Sequence, residues 1–120
     1  MENYDSPKDS NSIRILVVDD HPATAETLAR AISQIGPEVN VISACSGSEA
    51  LERVAGNSVD MLITDMMMPG MNGLELIEKI QSNSGGRPAH IILITAYDVP
   101  GLKETARRLK VDETIIKPVR

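Results

Sequence analysis

Apolar residues in this chain come in short runs that end abruptly. Ile13–Val18 stops at Asp19-Asp20, Met61–Ile63 stops at Asp65, Ile91–Ile94 stops at Thr95, and Ile115-Ile116 stops at Lys117. The run before Asp65 lacks the clean alternation of a half-exposed strand, so it predicts a strand buried on both faces, as in a parallel sheet. Val39–Ser43 is a further short strand. Between the strands the apolar spacing changes to that of helices. Leu28, Ile32 and Ile35, with Ala25 and Ala29, predict a helix that Pro22 starts and Gly36-Pro37 stops. Ser46 and Glu49 have capping-box spacing ahead of Ala50, Leu51 and Val54, and Gly56-Asn57 closes that helix. Asn72 caps a third helix with Leu76, Ile77 and Ile80 inward. Ser82–Pro88 reads as a surface loop. Asp98 and Pro100 are expected to open a fourth helix with Leu102, Ala106 and Leu109 inward, and Thr114–Lys117 is the last strand, ended by Pro118.

Strand and helix therefore alternate from Ile13 onward, which predicts an α/β fold, a doubly wound five-stranded parallel sheet with right-handed crossovers. Such sheets bind ligands beyond the carboxyl ends of their strands. Asp19, Asp20, Asp65, Thr95 and Lys117 all fall there. Each alone is ordinary, since Asp favours turns and Lys favours surfaces. Together, on separate strand ends of one sheet, they make a site. Three close carboxylates repel one another unless a cation relieves them. Mg²⁺ suits a site with few carboxylates, waters and a phosphate oxygen. Lys117 suits phosphate as a point charge, and a carboxylate can itself be a nucleophile that forms an acyl phosphate.

Composition narrows this further. The 120 residues suit one domain, with Met1–Ser12 a polar, disordered leader and 13–120 the folded unit. A net charge of −5 disfavours direct nucleic-acid binding by this chain. With no Phe and no Trp, the core must be aliphatic. The single cysteine, Cys45, excludes an internal disulfide and is expected as a small buried residue near a strand end. No membrane span or secretory signal is legible, and a cytoplasmic location is expected. Met66-Met67-Met68 is read as packing and loop backbone, because soft thioethers do not match hard carboxylates. His21 is read as a surface loop residue, although its place beside Asp20 also admits a ligand or a base.

Val17-Val18-Asp19-Asp20, the stretch Asp65-Met66-Met67-Met68-Pro69-Gly70-Met71-Asn72-Gly73, Thr95-Ala96 and Lys117-Pro118 resemble the motifs of receiver domains of two-component response regulators, over about residues 13–120. The resemblance implies the strand order 2-1-3-4-5 and a phosphorelay switch rather than an enzyme with an outside substrate. It implies that Asp65 accepts a phosphoryl group from a phosphohistidine of a histidine kinase or phosphotransfer protein. Mg²⁺ would be held by Asp20, Asp65 and the backbone carbonyl of Met67, with Asp19 acting through water. Lys117 would hold phosphoryl oxygens, through a strand end whose bond to Pro118 is cis. Thr95 would report phosphorylation to the face made by the fourth helix and fifth strand. The Asp19-Asp20-His21-Pro22 start is similar to that of regulators with DNA-binding outputs and hints at transcription.

Three features depart from the family pattern or qualify it. Thr114 stands where the family often has an aromatic residue, which predicts weaker or differently routed coupling to Thr95. Tyr97, by resemblance, flanks the site and slows the access of water to the acyl phosphate. The family's final C-terminal helix is absent before Arg120. That predicts exposed apolar surface on the first and fifth strands, a fragment of a longer regulator, and a tendency to form a homodimer through that face. Competing readings are an Asp-nucleophile phosphatase, a flavin binder and a docking-only domain. The phosphatase is disfavoured because its usual second carboxylate falls at Met67. The flavin binder is disfavoured by the lack of aromatic rings, and the docking-only domain by the complete set of site residues.

Overall fold

Five strands, β1 (Ile13–Val18), β2 (Val39–Ala44), β3 (Met61–Asp65), β4 (His90–Thr95) and β5 (Glu113–Ile116), alternate with four helices. These are α1 (Pro22–Ser33), α2 (Gly47–Val54), α3 (Gly73–Ser82) and α4 (Leu102–Arg108). The computed structural model describes residues 12–55, 58–82, 87–97 and 99–117. Every strand pair is parallel, and the order across the sheet is β2-β1-β3-β4-β5. The chain steps outward from β1 to β2, then crosses back to β3. The strand order reverses between β1 and β3, and the crevice of a doubly wound sheet opens at that point.

Side chains alternate between the two faces of the sheet. Leu16, Val18, Leu62, Ile91 and Leu93 join Ala50, Leu76, Ile77, Ile80, Leu102 and Ala106 in the larger core, under α2, α3 and α4. Ile15, Val17, Val39 and Ile63 form the smaller core, with Leu28 and Ile32 of α1 packed on it. Helices thus lie on both faces, with α1 alone on the second among the described residues. A groove of about 470 Å³ lies against α1, lined among others by Leu28, Ile94, Asp19 and Lys117. Ile115 of β5, 44% exposed, stands on the same face as Ile94. The expected exposure on β5 is therefore present. On β1 it is not, because α1 covers Ile15 and Val17, and only the end residue Ile13 is exposed.

Local chemistry explains the element ends. In α2 the Ser46 hydroxyl accepts the Glu49 N–H at 3.1 Å, and the Glu49 carboxylate accepts the Cys45 N–H at 2.7 Å. That backbone N–H, with the Arg53 guanidinium at 3.1 Å, holds Glu49 below the usual carboxylate range. In α3 Asn72 and Glu75 close a reciprocal capping box, at 2.8 and 2.9 Å. Strand limits differ from the sequence reading by a residue at some ends, and β5 stops at Ile116, so Lys117 begins the exit loop.

Three expectations are corrected. Ile35 lies beyond the helix and is 72% exposed, because α1 ends at Ser33 and a tight turn, Ile35 N–H to the Ile32 carbonyl at 3.0 Å, carries it off the apolar stripe. Cys45 is exposed rather than buried: Ala44 takes the last inward place of β2, and Cys45 starts the turn into α2. α4 starts at Leu102 after Gly101, whose φ of +84° is left-handed, so Pro100 lies in the turn ahead of the helix. Asp98, the Gly56-Asn57 stop, the leader up to residue 11, part of the Ser82–Pro88 loop, and Pro118 with its peptide bond lie outside the described residues. No described helix is long and apolar enough to cross a membrane.

Candidate functional site

Strand parity assembles the site. Asp19 continues the Ile15, Val17 face of β1, Asp65 the Ile63 face of β3, and Lys117 the Ile115 face of β5, so all three point to one side at the carboxyl edge. Asp19 and Asp65 are buried, 5% and 7% exposed. The Lys117 ammonium stands 3.5 Å from Asp65 Oδ1 and 3.9 Å from Asp19 Oδ2, and so links the two. Asp20 lies one residue on, half-buried. Its Oδ1 is shielded from solvent and no hydrogen bond reaches it.

Backbone contacts fix Asp65 tightly. The Thr64 hydroxyl donates to the Asp65 carbonyl at 3.0 Å. Met66 N–H donates to the Ile94 carbonyl at 2.7 Å, and Gly73 N–H to the Met66 carbonyl at 2.8 Å. A Cβ on Gly73 would lie 2.5 Å from the Asp65 carbonyl oxygen and 3.0 Å from Met66 Cα. Glycine is required there because the helix start and the strand end touch. Met68 is buried and Met66 packs on the larger core, while Met67 is exposed. Packing accounts for two of the three methionines.

Thr95 ends β4 on the opposite parity, fully buried. Its hydroxyl donates to the Tyr97 carbonyl at 3.1 Å and accepts the Tyr97 N–H at the same distance. It is at the site's edge with its one proton committed to its own turn. Tyr97 itself is exposed, and Thr114 is half-buried on β5.

Burial pushes the Asp65 carboxyl above the usual carboxylate range. The Lys117 ammonium opposes that rise, while Asp19 and Asp20 add to it. A buried carboxylate, two carboxylate neighbours and one ammonium form an electrostatically unsettled group that a further cation would settle. One member, Gly73, is not legible from strand ends, and its place directly after a capping Asn is the local signal of helix entry. His21 is exposed, as a surface loop residue is expected to be, and its ring nitrogen stands 3.4 Å from Asp19 and 3.3 Å from Asp20.

A family model described as the response regulator receiver domain matches residues 15–120. The chain is a response regulator receiver domain. Its relatives include the response regulator MprA of Mycobacterium ulcerans (strain Agy99), 37% identical over 107 residues, covering 89% of this chain and 44% of that protein. Chemotaxis protein CheY1 of Helicobacter pylori (strain ATCC 700392 / 26695) is 36% identical over 107 residues, covering 88% of this chain and 86% of that one. The receiver thus spans less than half of MprA and most of CheY1. Among solved structures, the response regulator TrrA from Thermotoga maritima, in complex with Mg²⁺-BeF, has a TM-score of 0.72 at 32% identity. It covers 90% of this chain and 89% of that chain. The Vibrio cholerae chemotaxis protein CheY4 shares the fold at a TM-score of 0.80, covering 91% of this chain and 89% of that one. The receiver belongs to two-component phosphorelay signalling.

Proposed function

We propose that Asp65 is the phosphoacceptor of a Mg²⁺-dependent phosphorelay step. The observation that carries this reading is the buried Asp65 carboxylate, 3.5 Å from the only ammonium that the described site contains. An Asp65 oxygen attacks the phosphorus of a donor phosphohistidine on a histidine kinase or phosphotransfer protein. The new P–O bond forms as the P–N bond breaks; the electron pair stays with the donor imidazole, which takes up a proton. The Lys117 ammonium holds a phosphoryl oxygen throughout.

Mg²⁺ fits the residues present. Asp20 Oδ1 is buried without a hydrogen bond, and the carboxylates are hard oxygen donors. Asp20, Asp65 and the Met67 carbonyl would hold the ion, with Asp19 acting through water. When bound, it would neutralise charge on the transferring phosphoryl group. The exposed Met67 side chain is compatible with a role through its carbonyl alone, and it offers no second carboxylate for hydrolysis of an outside ester. We therefore assign a switch and not an enzyme.

Thr95 carries the readout in this reading. Its single proton serves either the Tyr97 carbonyl or a phosphoryl oxygen, never both. Phosphorylation therefore releases the Tyr97 turn and alters the α4–β5 face. Thr114 is too small for a large swing, so the turn at Tyr97 takes the larger part of the change. The output is assigned to transcription, through a partner or attached domain rather than through direct DNA contact. The apolar margin at Ile115 supports self-association of two copies, and a monomer by sedimentation at high concentration would count against it.

Intact mass after incubation with Mg²⁺ and a small acyl-phosphate donor tests the reading. The expected result is one added phosphoryl group, lost in Asp65→Asn and without Mg²⁺. A gain that persists in Asp65→Asn would overturn it.

A further inference from the structure

Of the three methionines that follow Asp65, Met67 alone is exposed. It is 55% exposed, whereas Met68 is 8% exposed. Met66 and Met71 pack on the larger core, and Met61 packs on the smaller. Oxidation of a side chain by a hydroperoxide follows its access to solvent. Met67 is therefore the first target among the described methionines.

The place of Met67 is fixed from both sides. Met66 donates its N–H to the Ile94 carbonyl at 2.7 Å and accepts the Gly73 N–H at 2.8 Å, and Met68 is buried in the larger core. Two residues of chain span about 7 Å at most, so the Met67 Cα stays within that distance of the Asp65 Cα. Asp65 pairs with Ile94, so the loops that leave β3 and β4 lie side by side. Each carries a large exposed side chain, Met67 in one and Tyr97 in the other. Apolar bulk beside a buried carboxyl keeps water from it. A sulfoxide turns that bulk polar and brings water with it.

Resting on the assignment of Asp65 as phosphoacceptor, we infer that Met67 is a site of reversible oxidation by hydrogen peroxide, and that its sulfoxide shortens the life of the acyl phosphate. A sulfur lone pair attacks one peroxide oxygen. The S–O bond forms as the O–O bond breaks, and the electron pair leaves with the other oxygen as hydroxide. The proton of the transferred oxygen passes to that hydroxide, which departs as water. Sulfur is oxidised by two electrons and the peroxide is reduced. The Met67 carbonyl is unchanged by the step, so the effect falls on loss of the phosphoryl group rather than on its uptake.

Hydrogen peroxide is applied to the full chain carrying Cys45→Ser, which takes the exposed thiol out of the reaction. Peptide mapping by mass reads the site of oxidation. The protein is then phosphorylated with Mg²⁺ and a small acyl-phosphate donor, the donor is removed, and intact mass follows the decay. Met67 is expected to gain one oxygen while Met66 and Met68 remain thioethers. The phosphoryl half-life should shorten severalfold and return after treatment with a methionine sulfoxide reductase. Met67→Leu, compared with itself before and after peroxide, should lose the response. Met67→Gln should decay fast without peroxide. Oxidation of Met66 or Met68 as fast as Met67 would overturn the proposal, as would an unchanged half-life with Met67 oxidised. A response that persists in Met67→Leu, or that the reductase does not reverse, would overturn it too. Untreated protein that takes up no phosphoryl group would overturn the assignment of Asp65, and the effect on lifetime with it.

Discussion

Replacing Gly73 by Ala tests how Asp65, the proposed acceptor, is held. The added Cβ would meet the Asp65 carbonyl oxygen at 2.5 Å, Met66 Cα at 3.0 Å and Leu93 Cδ1 at 3.0 Å. Two of those atoms are backbone and cannot rotate away. The helix start must retreat by roughly 0.5–1 Å to restore ordinary contact distances. Ala gains at most about 1 kcal/mol over Gly in a helix, and less at its first residue. Overpacking costs about 1–3 kcal/mol, so the net effect is a loss of about 1–2 kcal/mol. For a domain of this size the melting temperature should fall by about 3–10 °C. Far-UV circular dichroism reads that directly. Asp65 moves with its carbonyl, and a shift approaching 1 Å slows a positioned reaction by up to about 100-fold. The time course of intact mass with an acyl-phosphate donor should therefore slow by about tenfold or more. Gly70→Ala is the control: its Cβ meets nothing within 4 Å, and φ of +79° costs only backbone strain. It should lower stability and leave the rate alone. A Gly73→Ala protein that melts at or above wild type and accepts phosphate at the wild-type rate would refute the reasoning.

Asp65→Asn should be more stable than wild type near neutral pH. Burial raises the native carboxyl above its unfolded range, so ionised Asp65 costs stability once pH exceeds that range. The gain should fade in urea melts as pH falls below the ordinary carboxylate range. Lys117→Ala should push Asp65 higher still, visible as an upward shift of its carboxyl in NMR titration, and should abolish phosphoryl acceptance. Asn72→Ala removes half of the α3 capping box and should cost about 1 kcal/mol in a denaturant melt. Tyr97→Ala should shorten the phosphoryl lifetime by opening the site to water; an unchanged decay rate would remove that role.

The carboxyl-edge cluster was legible because strand parity is a period of two. Asp19, Asp65 and Lys117 each follow an apolar run at the place that faces α1, so a sequence reading of strand ends was enough. The capping residues Ser46 and Asn72 were legible because their partners are three residues away. What failed depended on where an element stops. Ile35 fits the helical stripe and is lost only because α1 unwinds at Ser33. Cys45 has the habit of a buried residue and is turned out by a strand ending at Ala44. Pro100 suits a first helical turn, but the left-handed Gly101 behind it delays the start. The contact of Gly73 with the Asp65 carbonyl is a tertiary distance that no local pattern encodes.

The sheet order has a consequence for how this protein fails on heating. Asp65 ends β3, a strand paired with β1 on one side and β4 on the other, and is itself paired with Ile94. Lys117 follows β5, a four-residue strand that among the described residues pairs only with β4 and leaves Ile115 and Ile116 exposed. Edge strands with few buried contacts open first. Amide exchange should therefore be fastest at β5 among the strands, and the ammonium should leave before the surroundings of Asp65 loosen. Warmed gently, the protein would keep its fold and the place of Asp65 while losing the ammonium charge beside it. Signalling would then cease at a temperature where circular dichroism still reports a native sheet.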